Sequence, residues 1–552
     1  MPSFTFSPWG PLALAFASCA ACGREATAPA NMAPPAAPVS STPMFQNPIL
    51  PGFHPDPSVC RVGDDYYLVT SSFEYFPGVP IFHSKDLTNW RQIGHVLTRA
   101  SQLPLQGAGS SKGIFAPTLR HHDGTFYVVT TNMSGGGSFF VSAKDPAGPW
   151  SEPTYLTDTE FTMDPSLLFD DDGKVYYTRH GGGERGGAYQ AELDLKTGRF
   201  AEPPKQIWAG TGGVWPEGPH LYKINGTYYL MIAEGGTSYN HAITIARSAS
   251  PWGPFEAYGK NPILTHRERR AHPIQATGHA DLVQTPEGNW WTVFLGIRPP
   301  EGKHHHLGRE TFLAPVTWNA DGWPVINGGA PVDLLMPRTG LPAPHPWPAS
   351  SARDEFDTQT LGFEWNFLRN PRDADWSLGT RPGFLRLNGH AASLNDVASP
   401  AFVARRQEHL RARASTRLDF EPSSDGQRAG LSLRANEQNH YDLTITRQGP
   451  GRRIELETRI KGVSTQLASE PLPAGPVVLS IEAHPERYVF SFALSAAGEA
   501  HAPKILGTAP TEHLSSESAG GFTGVYLGLY ATSPSPKNTA PADFDWFEYR
   551  PE

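Results

Sequence analysis

Cysteine is scarce: Cys19, Cys22 and Cys60 are the only three in 552 residues. That excludes a disulfide framework and a cysteine-rich zinc site. Charge is sparse as well. Charged residues make up 18% of the chain, with 45 Lys and Arg against 54 Asp and Glu, a net charge of −9 and no basic run. Nucleic-acid binding, which needs clustered cations against phosphate, leaves no footprint here. No stretch of about 18 apolar residues occurs, so no segment reads as a membrane-spanning helix. The P-loop and the H-E-x-x-H pair are missing too, and with them the signatures of nucleotide and zinc-protease chemistry.

What the chain has in excess is turn formers and aromatics. There are 55 glycines and 54 prolines, about a fifth of all residues against roughly 12% on average. Aromatics reach 11%, with 14 tryptophans. This composition describes many short strands and turns, and argues against a helical bundle, a coiled coil or a disordered chain. The length points to two or more cores.

Residues 9–22, WGPLALAFASCAAC, are small and apolar, and an Ala/Pro/Ser tract follows to residue 43. The first segment, 1–22, resembles a secretory signal, and Phe16-Ala17-Ser18-Cys19 a degenerate lipoprotein box in which Cys19 would carry a lipid. No Lys or Arg precedes the apolar run, and Phe16 stands where Leu is usual. An ordinary signal or a misplaced start remains the alternative. Residues 23–43 read as a tether outside the fold, and export is the expectation.

From residue 54 one unit recurs at intervals of roughly 50–60 residues. Its copies are HPDPSVCRVGDDYYLVTSS, FAPTLRHHDGTFYVVTTN, MDPSLLFDDDGKVYYTRHG, EGPHLYKINGTYYLMIAEG and GHADLVQTPEGNWWTVFLG. In each, a corner leads into an apolar strand, a polar turn and an aromatic strand, a hairpin signal. Each unit holds about four strands, one blade of a propeller. Five units predict a five-bladed β-propeller over residues 44–340. Equivalent corners converge on the central channel, and they carry Asp56, Ala116, Asp164, Glu217 and His279. Three carboxylates facing one cavity cost stability, so the pattern points to function. Glycoside hydrolysis needs two carboxyl groups in opposite protonation states, and a third can hold a proton on its neighbour. Cys60 reads as core. His304-His305-His306 is a weak metal candidate, and the Gly clusters at 135–137 and 181–187 read as turns.

The stretches HPDPSVCRVGDDYYLVTSSFEYFPGVPIFHSKDLTNW, FTMDPSLLFDDDGKVYY, WPEGPHLYK, ATGHADLVQTPEGNWWTVFLGIRP and HLGRETFLAPVTW strongly resemble glycoside hydrolase family 43, in its β-xylosidase and α-L-arabinofuranosidase branch. The resemblance implies an inverting enzyme with Asp56 as general base, Glu217 as general acid, and Asp164 as the carboxylate that orients the acid and tunes its pKa. It further implies that Arg309 holds a sugar hydroxyl. Phe73, Phe115, Ala116 and Met163 would line the sugar site, although either Phe could equally be blade core. Relatives often carry Trp where Phe115 stands. His279 resembles the axial histidine that faces a hydrated, structural calcium; a core histidine is the alternative.

LPAPHPWPAS opens a Pro-rich connector over 341–351. Beyond it, 352–552 alternates apolar and polar residues in many short strands, an antiparallel β-sandwich. It resembles the concanavalin-like domain attached to this branch, which implies a loop lent to the active site. GGFTG, with Phe522, resembles that loop, and a plain sandwich turn is the alternative. Asp545, with the acidic DEFD at 354–357, would make a calcium site, or else these are solvated strand-end acids.

The expected function is thus an exo-acting hydrolase that releases terminal α-L-arabinofuranose or β-D-xylose from hemicellulose-derived oligosaccharides and requires no cofactor. A non-catalytic sugar-binding propeller and a retaining fructan-type propeller enzyme stay open alongside it.

Overall fold

The computed structural model describes residues 43–157, 162–449, 451–496, 499–500, 502–534 and 539–552. The segments expected to direct export, with Cys19, lie outside the described residues.

Five antiparallel sheets, each running strand to neighbouring strand, follow one another along the chain. Blade 1 comprises Ser58–Val62, Asp65–Val69, Gly78–Ser84 and Arg91–Leu97. Blade 2 comprises Thr118–His122, Thr125–Asn132, Gly137–Ala143 and Thr154–Tyr155. Blades 3, 4 and 5 begin at the inner strands Thr162–Phe169, Glu217–Ile224 and Gln275–Gln284. The inner hairpins close where the sequence places its turns. Asp123-Gly124 and Asn225-Gly226 hold positive φ at both positions, the type I′ geometry that matches strand twist. Aromatics from the second strands fill the space between blades, as with Tyr66, Tyr177, Tyr229 and Trp291, all buried.

The segment before blade 1 closes the ring. Met44–Gln46 pairs with Leu335–Pro337. The Asn47 amide donates to Leu313 O at 3.0 Å and accepts from Leu313 N at 2.9 Å. Along the axis, one buried carboxylate joins four blades. Asp281 of blade 5 accepts from Ser58 Oγ of blade 1 at 2.7 Å, Arg120 of blade 2 at 2.8 Å and Tyr222 Oη of blade 4 at 2.7 Å. The Arg120 guanidinium also reaches His220 Nδ1 at 2.9 Å.

From Arg353 onward the chain forms two large antiparallel sheets packed as a sandwich. One of them continues into the propeller: Tyr75–Phe76 pairs with Asn366–Leu368 and becomes its edge strand. A buried charge cluster seals the same junction, in which Arg434 of the sandwich meets Glu437 at 3.0 Å and Glu74 of the propeller at 3.6 Å, and Arg369 pairs with Glu437. The Pro-rich connector packs back on blade 1. His345 N donates to Asp86 at 2.8 Å, and the Arg91 guanidinium lies 3.9 Å over the Trp347 ring.

The calcium expected at Asp545 is not what these residues build. Asp545 accepts from Arg417 at 2.7 Å, and neighbouring Asp543 from Arg381 at 2.7 Å and Arg386 at 2.6 Å. Asp354 accepts instead from Phe356 N and Trp365 Nε1. Arginines rather than a metal neutralise the acids of the last strand. Among the described residues, no group of three or more His, Cys, Asp or Glu comes together to hold an ion.

Candidate active site

The corner residues reach the axis because the backbone bends there. Asp56 and Asp164 both take left-handed backbone conformations, each with φ +54°, and His279 has φ +49°. At the fourth corner, Gly218, with φ +58°, takes the left-handed position beside Glu217. The inner strands of blades 3, 4 and 5 also break register at Met163/Ser166, Glu217/His220 and Gly278/Asp281. Such bulges turn a strand residue out of its alternation and toward the channel. Strained conformations of this kind are characteristic of functional sites.

The result is a cavity of about 560 Å³ whose wall includes Asp56, Asp164, Glu217, His279 and Arg309. Asp56 is nearly immobilised. Ser71 Oγ donates to it at 2.6 Å and Arg309 Nη1 at 2.8 Å, and His279 Nδ1 lies 3.8 Å away. Arg309 also donates to Thr237 Oγ1 at 3.1 Å. Its guanidinium sits 5.6 Å from the rings of both Phe73 and Phe522, between propeller and sandwich. Asp164 accepts from Gly218 N at 3.1 Å. His241 Nε2 stands 3.5 Å from Glu217.

Burial pushes the Asp164 carboxyl well above the usual carboxylate range, and the charges of Glu217 and Asp56 add to the push. Asp164 is therefore the carboxyl of this site that burial and acidic neighbours push toward its protonated form. Burial likewise lowers the His279 pKa, against the pull of Asp56 and Glu217.

Phe73, Phe115, Met163 and Phe522 line the cavity, as the sequence suggests. Phe73 lies 5.1 Å from Phe115 and 6.0 Å from Phe522, ring centre to ring centre, an aromatic wall built by both domains. Ala116 does not join them. It is buried, and its corner presents Phe115 to the cavity instead. Sequence reasoning passed over Trp215, Thr237 and Lys112, which also line the cavity, and Ser71, which holds Asp56. Trp215 stood inside the quoted Trp-Pro-Glu-Gly-Pro and was legible as an aromatic beside the acid. Thr237 and Ser71 carry no local signal.

A calcium on the axis would find His279 as its protein ligand. The nearby oxygen donor of the kind calcium prefers, Asp281, is wholly engaged by Arg120, Ser58 and Tyr222. The channel already carries a cation in Arg120, and the donor set does not fit a protein-ligated calcium. The His304–His306 loop makes no metal site either: His305 pairs with Glu517 at 2.8 Å, and His304 meets Thr511 Oγ1.

Three carboxylates lining one cavity of a β-propeller, one of them pushed toward its protonated form, with an arginine and an aromatic wall, define a carbohydrate-cleaving hydrolase. The sequence model of glycosyl hydrolases family 43 matches residues 45–324, and that of the beta xylosidase C-terminal concanavalin A-like domain matches 353–550. The chain is 49% identical to the non-reducing end alpha-L-arabinofuranosidase BoGH43B of Bacteroides ovatus, over 92% of this chain and 94% of that one. It is 43% identical to a xylosidase/arabinosidase of Butyrivibrio fibrisolvens, over 91% of this chain and 98% of the relative. The solved structure of a xylan beta-1,4-xylosidase from Bacillus halodurans superposes with a TM-score of 0.86 at 39% identity, covering 92% of this chain and all of the other. The chain belongs to glycosyl hydrolase family 43, and it is a glycosidase with a five-bladed propeller and a concanavalin-like sandwich.

Proposed function

We propose that this enzyme removes single terminal α-L-arabinofuranosyl residues from hemicellulose-derived oligosaccharides, with inversion at the anomeric carbon. The observation that carries the reading is a carboxylate cavity of about 560 Å³ to which the sandwich contributes Phe522, a pocket we read as taking a chain terminus rather than a chain interior. The relatives named above, one an α-L-arabinofuranosidase at 49% identity, support the choice of sugar.

In this mechanism Asp56, held by Arg309 and Ser71, accepts a proton from a water molecule. The water oxygen bonds to the anomeric carbon from the face opposite the leaving group. The glycosidic C–O bond breaks through an oxocarbenium-like transition state, and Glu217 gives its proton to the departing oxygen. Asp164, pushed toward its protonated form, orients Glu217. Phe73, Phe115 and Phe522 exclude water from the sugar's apolar face.

β-Xylosidase activity is the second reading, favoured by the xylosidase relatives of similar coverage. Paired initial rates on nitrophenyl α-L-arabinofuranoside and nitrophenyl β-D-xylopyranoside decide between them. The arabinofuranoside is expected to be the better substrate, and both rates should fall by about 10²–10⁴ in Glu217→Ala. Equal rates in wild type and mutant would remove Glu217 from its role, and a xylopyranoside preference would reverse the assignment of the sugar. Export, with Cys19 lipidated, is a further part of the proposal. It is tested by cell fractionation and by comparing wild type with Cys19→Ala after labelled-palmitate feeding.

A further inference from the structure

The wall residue Phe522 is supplied by a loop of the sandwich, and that loop is held by a residue outside the pocket. Ser516–Ala519 forms one helical turn just before Gly520-Gly521-Phe522. From it, Glu517 reaches into the propeller. Its Oε1 accepts from His305 Nδ1 at 2.8 Å and from Tyr239 Oη at 2.9 Å, and its Oε2 accepts from His305 N at 3.0 Å.

Each partner sits on a segment that also builds the pocket. Tyr239 follows Gly235, Gly236, Thr237 and Ser238, all on the cavity wall, and Thr237 accepts from Arg309. His305 lies four residues before Arg309 itself. The two chains then run side by side: Ser516 N donates to His305 O at 3.2 Å and Val525 N to His306 O at 2.9 Å. Gly524 makes this approach feasible, since a Cβ there would stand 2.2 Å from Leu307 O. At the far end of the loop, Phe522 N donates to Ser111 Oγ at 2.8 Å.

We propose that Glu517 is a positioning residue for substrate binding: it fastens the Tyr239 and His305 segments to the sandwich loop, and so seats Phe522 against Arg309. The inference rests on the reading of this cavity as the sugar site. Burial raises the pKa of Glu517, but the hydrogen bonds and charge of His305 outweigh it and hold the group down at about 2. The Glu517 carboxylate therefore stays ionised throughout the neutral range.

Because Glu517 touches neither substrate nor Asp56 and Glu217, its loss acts on binding more than on chemistry. For Glu517→Ala, KM on the aryl pentoside that wild type turns over rises about tenfold, the scale of one displaced aromatic contact, with kcat within about threefold. Glu517→Gln, whose one carbonyl oxygen can still accept from Tyr239 Oη and His305 Nδ1 but whose NH2 then faces His305 N, gives a KM between those of wild type and Glu517→Ala. The decisive experiment is a double-mutant cycle with Phe522→Ala. If Glu517 acts through Phe522, adding Glu517→Ala to Phe522→Ala raises KM no further. Multiplicative effects, or an unchanged KM in Glu517→Ala, overturn the proposal. Hydrogen exchange at the Phe522 and His305 amides gives a readout independent of turnover. Both amides exchange faster in Glu517→Ala, and unchanged protection overturns the clamp. An inactive wild type would instead strike at the proposed function, leaving the exchange measurement to decide the clamp. Should the Ala variant fail to fold, Tyr239→Phe, which deletes one clamp bond, takes its place in the cycle.

Discussion

Arg309 donates to Asp56 at 2.8 Å while its guanidinium packs 5.6 Å from the ring centres of both Phe73 of the propeller and Phe522 of the sandwich, which stand 6.0 Å from each other. One side chain thus fixes the carboxylate proposed to activate water and contacts both halves of the aromatic wall. Replacement by lysine keeps the charge and loses both the fork and the planar guanidinium beside the two rings. Arg309→Lys is expected to lower kcat/KM by about 100-fold, near 2.7 kcal/mol of transition-state stabilisation. Steady-state kinetics on an aryl pentoside measures it, and a loss of less than tenfold would mean that charge alone suffices.

Asp164 should cost the enzyme stability. Its folded-state pKa is raised by burial and by its acidic neighbours, so the native state binds a proton more tightly than the unfolded chain. Stability therefore falls as pH rises from about 4 through the raised value. Asp164→Asn removes the repulsion and can keep an acceptor for Gly218 N. Its Tm should exceed that of wild type at pH 7 and converge with it below about pH 4, while activity is lost. Parallel melting curves at the two pH values provide the check, and a variant less stable than wild type at pH 7 contradicts the argument.

The axial ion pair does the opposite work. Burial raises the Asp281 pKa, but Arg120 and His220 outweigh it and hold the carboxyl far below its ordinary value. Asp281→Ala leaves Arg120 without its carboxylate partner and deprives four blades of a common anchor. The expected loss is about 3–5 kcal/mol, the usual cost of breaking a buried pair from one side. Denaturant unfolding of the two proteins tests this, and a change below about 1 kcal/mol would show that water replaces the lost carboxylate.

Chelation is predicted to leave the rate unchanged. Asp281 is engaged by Arg120, Ser58 and Tyr222, and the channel offers calcium one imidazole in place of the oxygens it prefers. Initial rates before and after EDTA dialysis, with and without added calcium, are the measurement. A loss restored by calcium would show that water supplies the missing ligands around His279.

The propeller and its three carboxylates were legible because each blade repeats the same local grammar, a corner, a turn and an aromatic strand, and the turns Asp123-Gly124 and Asn225-Gly226 adopt the conformation their residues favour. Ala116 shows the limit of positional equivalence: the second corner has no side chain long enough to reach the cavity, and its neighbour Phe115 does so instead. Ser71, Thr237 and Glu517 act across 15, 72 and 212 residues of chain. Contacts at such separations are set by how whole blades and domains pack, and no local pattern encodes them. The pairing of Asp545 was not legible for a related reason, since Arg417, which donates to it, comes from a distant strand.

The most direct test of the account is proton NMR of the first sugar released from nitrophenyl α-L-arabinofuranoside, recorded before mutarotation. Direct attack of water under Asp56, with Glu217 protonating the leaving oxygen, predicts β-L-arabinofuranose as the initial product. Initial appearance of the α-anomer would mean a covalent intermediate, and would contradict the roles assigned to both residues.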